Sequence, residues 1–304
     1  QIMTPYDKDM AQILHKEIID NGVELIVSDA LAEIKKDSVV TAKGRTVKAQ
    51  LVVVAIGVVP EVSLAKKIGV ELGVTGGIKV DHNYQTNIKD IYAVGDVIES
   101  YCSLIRKPTR LTLAGPAQRQ ARGAADHMYG RPVINKGGIG SSCVKIFEVN
   151  AANTGLNEKQ CRAAGIIYDY VYLIPGDSVG IMPTANPIHV KLLFEVPTGK
   201  ILGVQTIGKG NVDKRADVIA AMITMGATLD DLKELELCYS PIFSTAKDPL
   251  NHAALVGLNI INAEFKQVKV SEVREIVENG GFIMDVREPN EYAEGHVKGA
   301  VNIP

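Results

Sequence analysis

The stretch IYAVGD, residues 91–96, ends an apolar run with Gly95 and a carboxylate, Asp96. A glycine there lets a ligand approach the backbone, and a carboxylate can accept hydrogen bonds from hydroxyl groups. Further on, LTLAGPAQRQAR opens a helix through Gly115 and Pro116, with proline early, where its missing N–H costs nothing. The N–H groups of that first turn, and the positive end of the helix dipole, favour an electron-rich atom. Together the two features make a polar notch suited to a polyol joined to an anionic ring. A second reading of Asp96 is that it only caps a turn.

Other reactive side chains carry less. Cys102, Cys143, Cys161 and Cys238 are scattered, without a C-x-x-C or a histidine at ligand spacing, so neither zinc nor a disulfide framework is expected. Each reads as a reduced, small apolar residue. GKGNVD (208–213) could cradle a phosphate, but no strand ending in an acid follows at the distance a dinucleotide needs, and Asn211 or Asp213 as a helix cap explains it better. His189 reads as a tolerated surface or interface histidine, and Met222 and Met225 as helix core.

The elements that must position these groups are partly visible in the pattern. DKDMAQILHKEIIDNG (7–22) is a helix stopped by Gly22. VELIVSDALAEI and DSVVTAKGRTVKAQLVVVAIG read as strands turning at Lys43–Gly44, the last of them apolar enough to be buried on both faces. IYAVGD is a short buried strand, and residues 113–130 are a helix. From about Ser141 strands and helices alternate: CVKIFEVN, IIYDYVYLI, HVKLLFEV and ILGVQTIG are strands, the last two forming a hairpin across Pro197–Lys200. VDKRADVIAAMITMG and DPLNHAALVGLNIINAEF are helices. Strands in a run with helices beside them suggest an α+β domain. Near Gln267 the texture changes again, to a short helix (VSEVREIVENGG) and a buried strand (FIMDVR).

Composition narrows the classes. The 304 residues suffice for two or three domains, and 33 Lys plus Arg against 35 Asp plus Glu give a net charge of -2 without a basic block. Nucleic acid is therefore not an expected partner. The apolar runs fall short of the roughly 18 to 20 residues that span a bilayer, which points away from a membrane and toward the cytoplasm. The opening at Gln1 and the close at GAVNIP suggest a fragment.

With these motifs in order, the sequence resembles the two-dinucleotide-fold flavoprotein disulfide reductases. LVVVAIGVVP, with Gly57, looks like the strand and glycine turn that precede the return from the nicotinamide domain. IYAVGD, with Gly95 and Asp96, looks like the flavin motif whose aspartate binds the ribityl chain of FAD. LTLAGPAQRQAR is similar to the helix facing the flavin pyrimidine edge, which places Leu113, Ala114 and Gly115 near it. The likeness is strongest to the branch containing coenzyme A disulfide reductases, NADH oxidases and NADH-dependent persulfide reductases. CYSPIFSTAKDPLN (238–251) carries it: a tyrosine at the position of Tyr239 reaches from the dimer partner toward the redox cysteine. A phenol beside a thiolate can donate a hydrogen bond as sulfur leaves; interface packing is the other reading of Tyr239. Coenzyme A disulfide reductases usually place a second tyrosine where this chain has Ile181 and Met182, a departure that weakens the coenzyme A assignment. FIMDVREPNEYAEGHVKGAVNIP resembles the opening of a rhodanese domain, with Asp285 and His296 as structural residues.

The resemblance implies α/β and α+β architecture in four parts: the end of an NAD(P)-binding domain (1–60), a closing segment of an FAD-binding domain (61–135), an α+β dimerisation domain (136–264) and the start of a rhodanese-like domain (265–304). It implies FAD and NAD(P)H as cofactors, a homodimer through 136–264, and reduction of a disulfide, persulfide or polysulfide. An NADH oxidase or peroxidase is the alternative enzyme, and a non-catalytic dimerising fragment the alternative of another class. Neither glycine fingerprint G-x-G-x-x-G occurs, so the pyrophosphate cradles and the redox cysteine are expected upstream, and the rhodanese cysteine beyond Pro304.

Overall fold

The computed structural model describes residues 2–304, which divide into two compact units, one reaching to Leu258 and the other Asn259–Pro304. The first is organised by an antiparallel sheet of five strands: β6 (Ser141–Ile146), β7 (Val149–Gly155), β8 (Tyr168–Leu173), β9 (Ile188–Glu195) and β10 (Ile201–Gly208), in the order β6-β7-β10-β9-β8. The single strand expected at CVKIFEVN is a hairpin, turning at Phe147 with φ 49°. No glycine or proline announces that turn. β10 is central and buried along its whole length. It needs cover on both faces, and it has it.

One face carries α1 (Lys8–Asp20) and α4 (Glu158–Ala164). Met10, Ala11 and Leu14 of α1 pack with Ala151 and Ile207 of the sheet, and Cys161 of α4 with Leu193 and Leu202. The capping box of α4, Asn157 with Gln160, closes its first turn, and Gly165 ends it in the left-handed region. The other face carries α5 (Val212–Met225), α6 (Leu229–Lys233) and α7 (Pro249–Ile261). Thr206 Oγ1 bonds Val212 O at the start of α5, and Phe194 of β9 lies against Leu229 and Gly257. Met222 of α5 is buried as expected, while Met225 is exposed. At Asn211 the backbone is left-handed and the side chain makes no cap bond, so neither cap expected at GKGNVD is formed by that residue.

The N-terminal half is looser. β1 (Leu31–Ile34), β2 (Ser38–Thr41) and β3 (Thr46–Lys48) make a small antiparallel sheet, followed by α2 (Ser63–Lys67). The strand expected at LVVVAIG is corrected: residues 51–57 form no strand, and Leu51, Val53 and Ile56 are 81%, 79% and 89% exposed. A doubly buried strand requires neighbours on both edges, and no described residue pairs with this one. IYAVGD likewise forms no continuous strand: within it a single bridge, Gln85–Tyr92, is made, and Ile78–Ile98 follows just after it. The hairpin β4 (Ser100–Cys102) and β5 (Lys107–Thr109) leads into α3 (Ala114–Met128).

The second unit holds α8 (Val270–Glu278), α9 (Pro289–Glu294) and the parallel pair β11 (Met284–Asp285) and β12 (Val301–Asn302). Arg287 grips Asp285 and bonds Gly295 O at 2.7 Å. Tyr292 stacks on His296 at 3.8 Å. The strand expected at FIMDVR is therefore short, and Phe282 and Met284 are exposed.

Candidate functional site

Gly95 begins a single turn, Gly95–Val97, at φ 80°, a conformation glycine adopts without strain. Its N–H donates to Gln120 Oε1 at 2.7 Å, and a side chain built on it would touch Ala117. Both partners lie in the first half of α3, so the turn and the helix N-terminus are neighbours. The next residue is where the chemistry sits. Asp96 is exposed, and among the described residues none donates to its carboxylate. It is not a turn cap.

At the head of α3, Leu113 is the N-cap and has no side-chain bond to offer the helix. Its own N–H is spent on Leu111 O at 3.0 Å, so it cannot serve a ligand. The N–H groups of Ala114 and Gly115 are the free ones, since first-turn amides lack intrahelical partners and Pro116 has none to give. Ala114 and Gly115 are both exposed. Gly57 lies in an exposed turn at φ 99°, and Arg110, three residues before the helix, ties that turn down by bonding Val58 O at 2.8 Å. Thus the turn of Gly95 and Asp96 packs on the first half of the helix that Ala114 and Gly115 open, while Gly57 is linked to that region only through the Arg110 side chain. A cleft of about 440 Å³ on the flank of α3 is bounded by Ile98, Ser100, Pro116, Arg119 and Gln120. A second, of about 450 Å³, is lined by Leu113, Arg110, Gly140 and Asn157.

Tyr239 lines neither cleft. It stands 51% exposed on the loop before α7, with Ile242 and Phe243 exposed beside it. The loop is joined to the segment of Ile181 and Met182 by Val179 N–H to Pro241 O at 3.1 Å. His189 is half-buried; its ring bonds Tyr172 Oη at 2.6 Å, and burial holds it below the usual imidazole range.

Two buried charge clusters escaped sequence reasoning. Lys191 of β9, fully buried, donates to Asp9 at 2.7 Å and Glu158 at 2.6 Å, and lies 3.3 Å from Asp7. The three carboxylates are close enough to share a cation, and the ammonium is that cation. It also sits over the Tyr170 ring at 4.0 Å. Burial pushes Asp7 up, against the pull of Lys191 and Gln205; Lys191 is held above the lysine range because its acidic neighbours outweigh the burial that would lower it. The second cluster is Arg215 with Asp248. Neither has a sequence signal, since the partners lie far apart in the chain.

The cysteines split rather than behave alike. Cys102 and Cys161 are buried, Cys143 and Cys238 exposed. Burial, with Asp7 and Glu158 nearby, pushes the Cys161 thiol up to about 12. A thiolate is the reactive form, so a thiol reagent applied to the folded protein is expected to label Cys143 and Cys238 quickly and all four only in denaturant. Fast native labelling of Cys161, read by peptide mass, would contradict the burial.

An open helix end beside an acid-bearing turn, next to a sheet clothed on both faces, defines an α/β segment joined to an α+β module. The chain belongs to the pyridine nucleotide-disulphide oxidoreductase family: residues 1–121 match the model of that name, and residues 141–249 match its dimerisation domain. Residues 269–304 match the rhodanese-like domain. A coenzyme A disulfide reductase of Staphylococcus epidermidis is 32% identical over 246 residues, 81% of this chain and 56% of that protein. The reduced CoADR-RHD of Bacillus anthracis superposes with a TM-score of 0.96 at 41% identity, over 100% of this chain and 55% of that one. An NAD-dependent persulfide reductase from A. fulgidus gives 0.92 at 32% identity, over 98% of this chain and 55% of that one. The chain thus spans about half the length of the relatives it matches. Among the described residues no helix is long and apolar enough to cross a membrane.

Proposed function

We propose that the protein bearing this chain is an FAD-dependent NAD(P)H oxidoreductase that reduces a disulfide, persulfide or polysulfide. The observation that carries the reading is the unpartnered carboxylate of Asp96 on a turn bonded to α3, the helix whose first N–H groups, those of Ala114 and Gly115, are free. These groups fit FAD: an exposed carboxylate can accept from ribityl hydroxyls, and two convergent amides suit the electron-rich edge of the flavin ring. Held by Asp96, Ala114 and Gly115, a flavin would supply two-electron chemistry between a nicotinamide and sulfur. The chain's own work is to bind and orient it. Gly95 aims Asp96 by its bond to Gln120, and Arg110 steadies the turn of Gly57.

Residues 1–60, 61–135, 136–264 and 265–304 are assigned to nicotinamide, flavin, dimerisation and rhodanese-like parts. Exposed Tyr239, Ile242 and Phe243 suit a homodimer formed through 136–264, in which Tyr239 donates a hydrogen bond to the leaving thiolate of the partner subunit. Free thiols suit a reducing compartment such as the cytoplasm.

Replacing Asp96 by alanine in the full-length protein should weaken FAD binding about 10- to 100-fold, as expected for losing a charged hydrogen bond. Titration of the apoprotein with FAD checks this, and unchanged affinity would remove the assignment. NADH consumption measured in parallel with polysulfide, coenzyme A disulfide and oxygen separates the reductase from an oxidase; dominant oxygen turnover would overturn the sulfur reading.

A further inference from the structure

Arg215 of α5 is 1% exposed, and its ion-pair partner Asp248 is 3% exposed. A buried ion pair adds little stability over apolar packing, so the geometry it enforces is the more informative property. The guanidinium reaches three loops at once. It donates through Nη2 to Asp177 O at 3.0 Å, through Nη1 to Asn211 O at 3.2 Å, and through Nη2 to Ser244 Oγ at 3.4 Å and Asp248 Oδ2 at 3.1 Å. Smaller bonds close the circuit: Ser244 Oγ donates to Asp248 Oδ2 at 2.6 Å, and Asp177 Oδ1 accepts from Asn186 N–H at 2.9 Å. Two of those loops carry exposed Ile181 and Tyr239. Surface loops without such a tie would drift independently, and a planar fork with several donors is suited to fixing them.

We propose that Arg215 is a positioning residue: it locks segments 177–187 and 238–248 in one arrangement and so sets the direction of the Tyr239 phenol. The inference rests on the reading of Tyr239 given above. It adds that this phenol works only while the guanidinium fork is intact.

The test uses the full-length enzyme with Arg215→Lys, which keeps the charge and loses the fork, Tyr239→Phe, and both together; Ser244→Ala, which removes one contact, replaces Arg215→Lys should that variant fail to fold. Arg215→Lys is expected to lower kcat about tenfold or more with the KM for NADH unchanged. In the Tyr239→Phe background the same change should have no further effect, because residues acting through one group are not additive. Hydrogen exchange should rise in 177–187 and 238–248 and stay slow in β9 and β10. An equal loss of kcat in both backgrounds, or faster exchange throughout the sheet, overturns the proposal and leaves Tyr239 standing. Full kcat in Tyr239→Phe alone removes the role of Tyr239, and the positioning role with it.

Discussion

Lys191→Met is expected to cost the first unit about 3–5 kcal/mol, because it strips the shared cation from three neighbouring carboxylates and leaves Asp7 and Asp9 without one, while Glu158 keeps Arg162 at 3.1 Å. Asp7 is 6% exposed, Glu158 17% and Asp9 25%, so water can relieve Asp9 more than the other two. The bonds at stake join α1 and α4 to β9, so the loss is expected to loosen a whole helical layer. Urea unfolding at neutral pH measures it, and a loss under about 1 kcal/mol would show the cluster to be as weak as a surface pair. The pH dependence has a fixed sign. In the native chain Lys191 has a folded pKa above its ordinary 10.5, so its contribution is full below 10.5 and is lost as pH rises through the raised value. The methionine variant lacks that alkaline loss. Asp7, already pushed up by burial, loses the opposing pull of Lys191 in the variant, so the variant regains stability as pH falls through the raised range of that carboxyl.

Phe194→Ala is expected to cost about 3–5 kcal/mol by the removal of a fully buried ring. The void should persist because its walls are rigid. Phe194 pairs with Ile201 across the hairpin, and a methyl built on Gly257 of α7 would come within 3.3 Å of its ring and 2.7 Å of Leu229. Sheet and helix are thus already in close approach, and neither can advance into the space. The exposed Tyr129→Ala, outside the proposed dimer region, makes the control, with a change within about 0.5 kcal/mol. Thermal or urea unfolding of both variants decides the matter, and equal effects would mean the two rings are not differently packed.

Much of this was readable from the chain, for reasons that differ by element. α1, α3 and α5 announce themselves through helical spacing and terminal glycines, α7 through its apolar spacing alone, and β8 to β10 through apolar runs of strand length. α4 was missed although Asn157 and Gln160 spell its capping box, because the helix is short. β6 and β7 merged into one because Phe147 turns the chain without turn chemistry. Residues 51–57 have the composition of a buried strand, but composition states a preference for burial and cannot supply neighbours. The juxtaposition of Asp96 with the α3 N-terminus was legible because both ends carry a local signal. That Leu113 spends its amide on Leu111 was not, since it depends on backbone geometry. Lys191 and Arg215 were invisible for a further reason: their ion-pair partners lie 33 to 184 residues away, and an isolated basic residue in a strand or helix reads as surface.

The full enclosure of β10 also bears on where the protein can be cut or extended. A strand flanked by neighbours on both edges and helices on both faces cannot accept a peptide insert or a nick without opening every layer at once. Engineers seeking a permissive site for a tag or fluorophore are better served by the exposed turn at Lys43 and Gly44, which holds none of the candidate site residues.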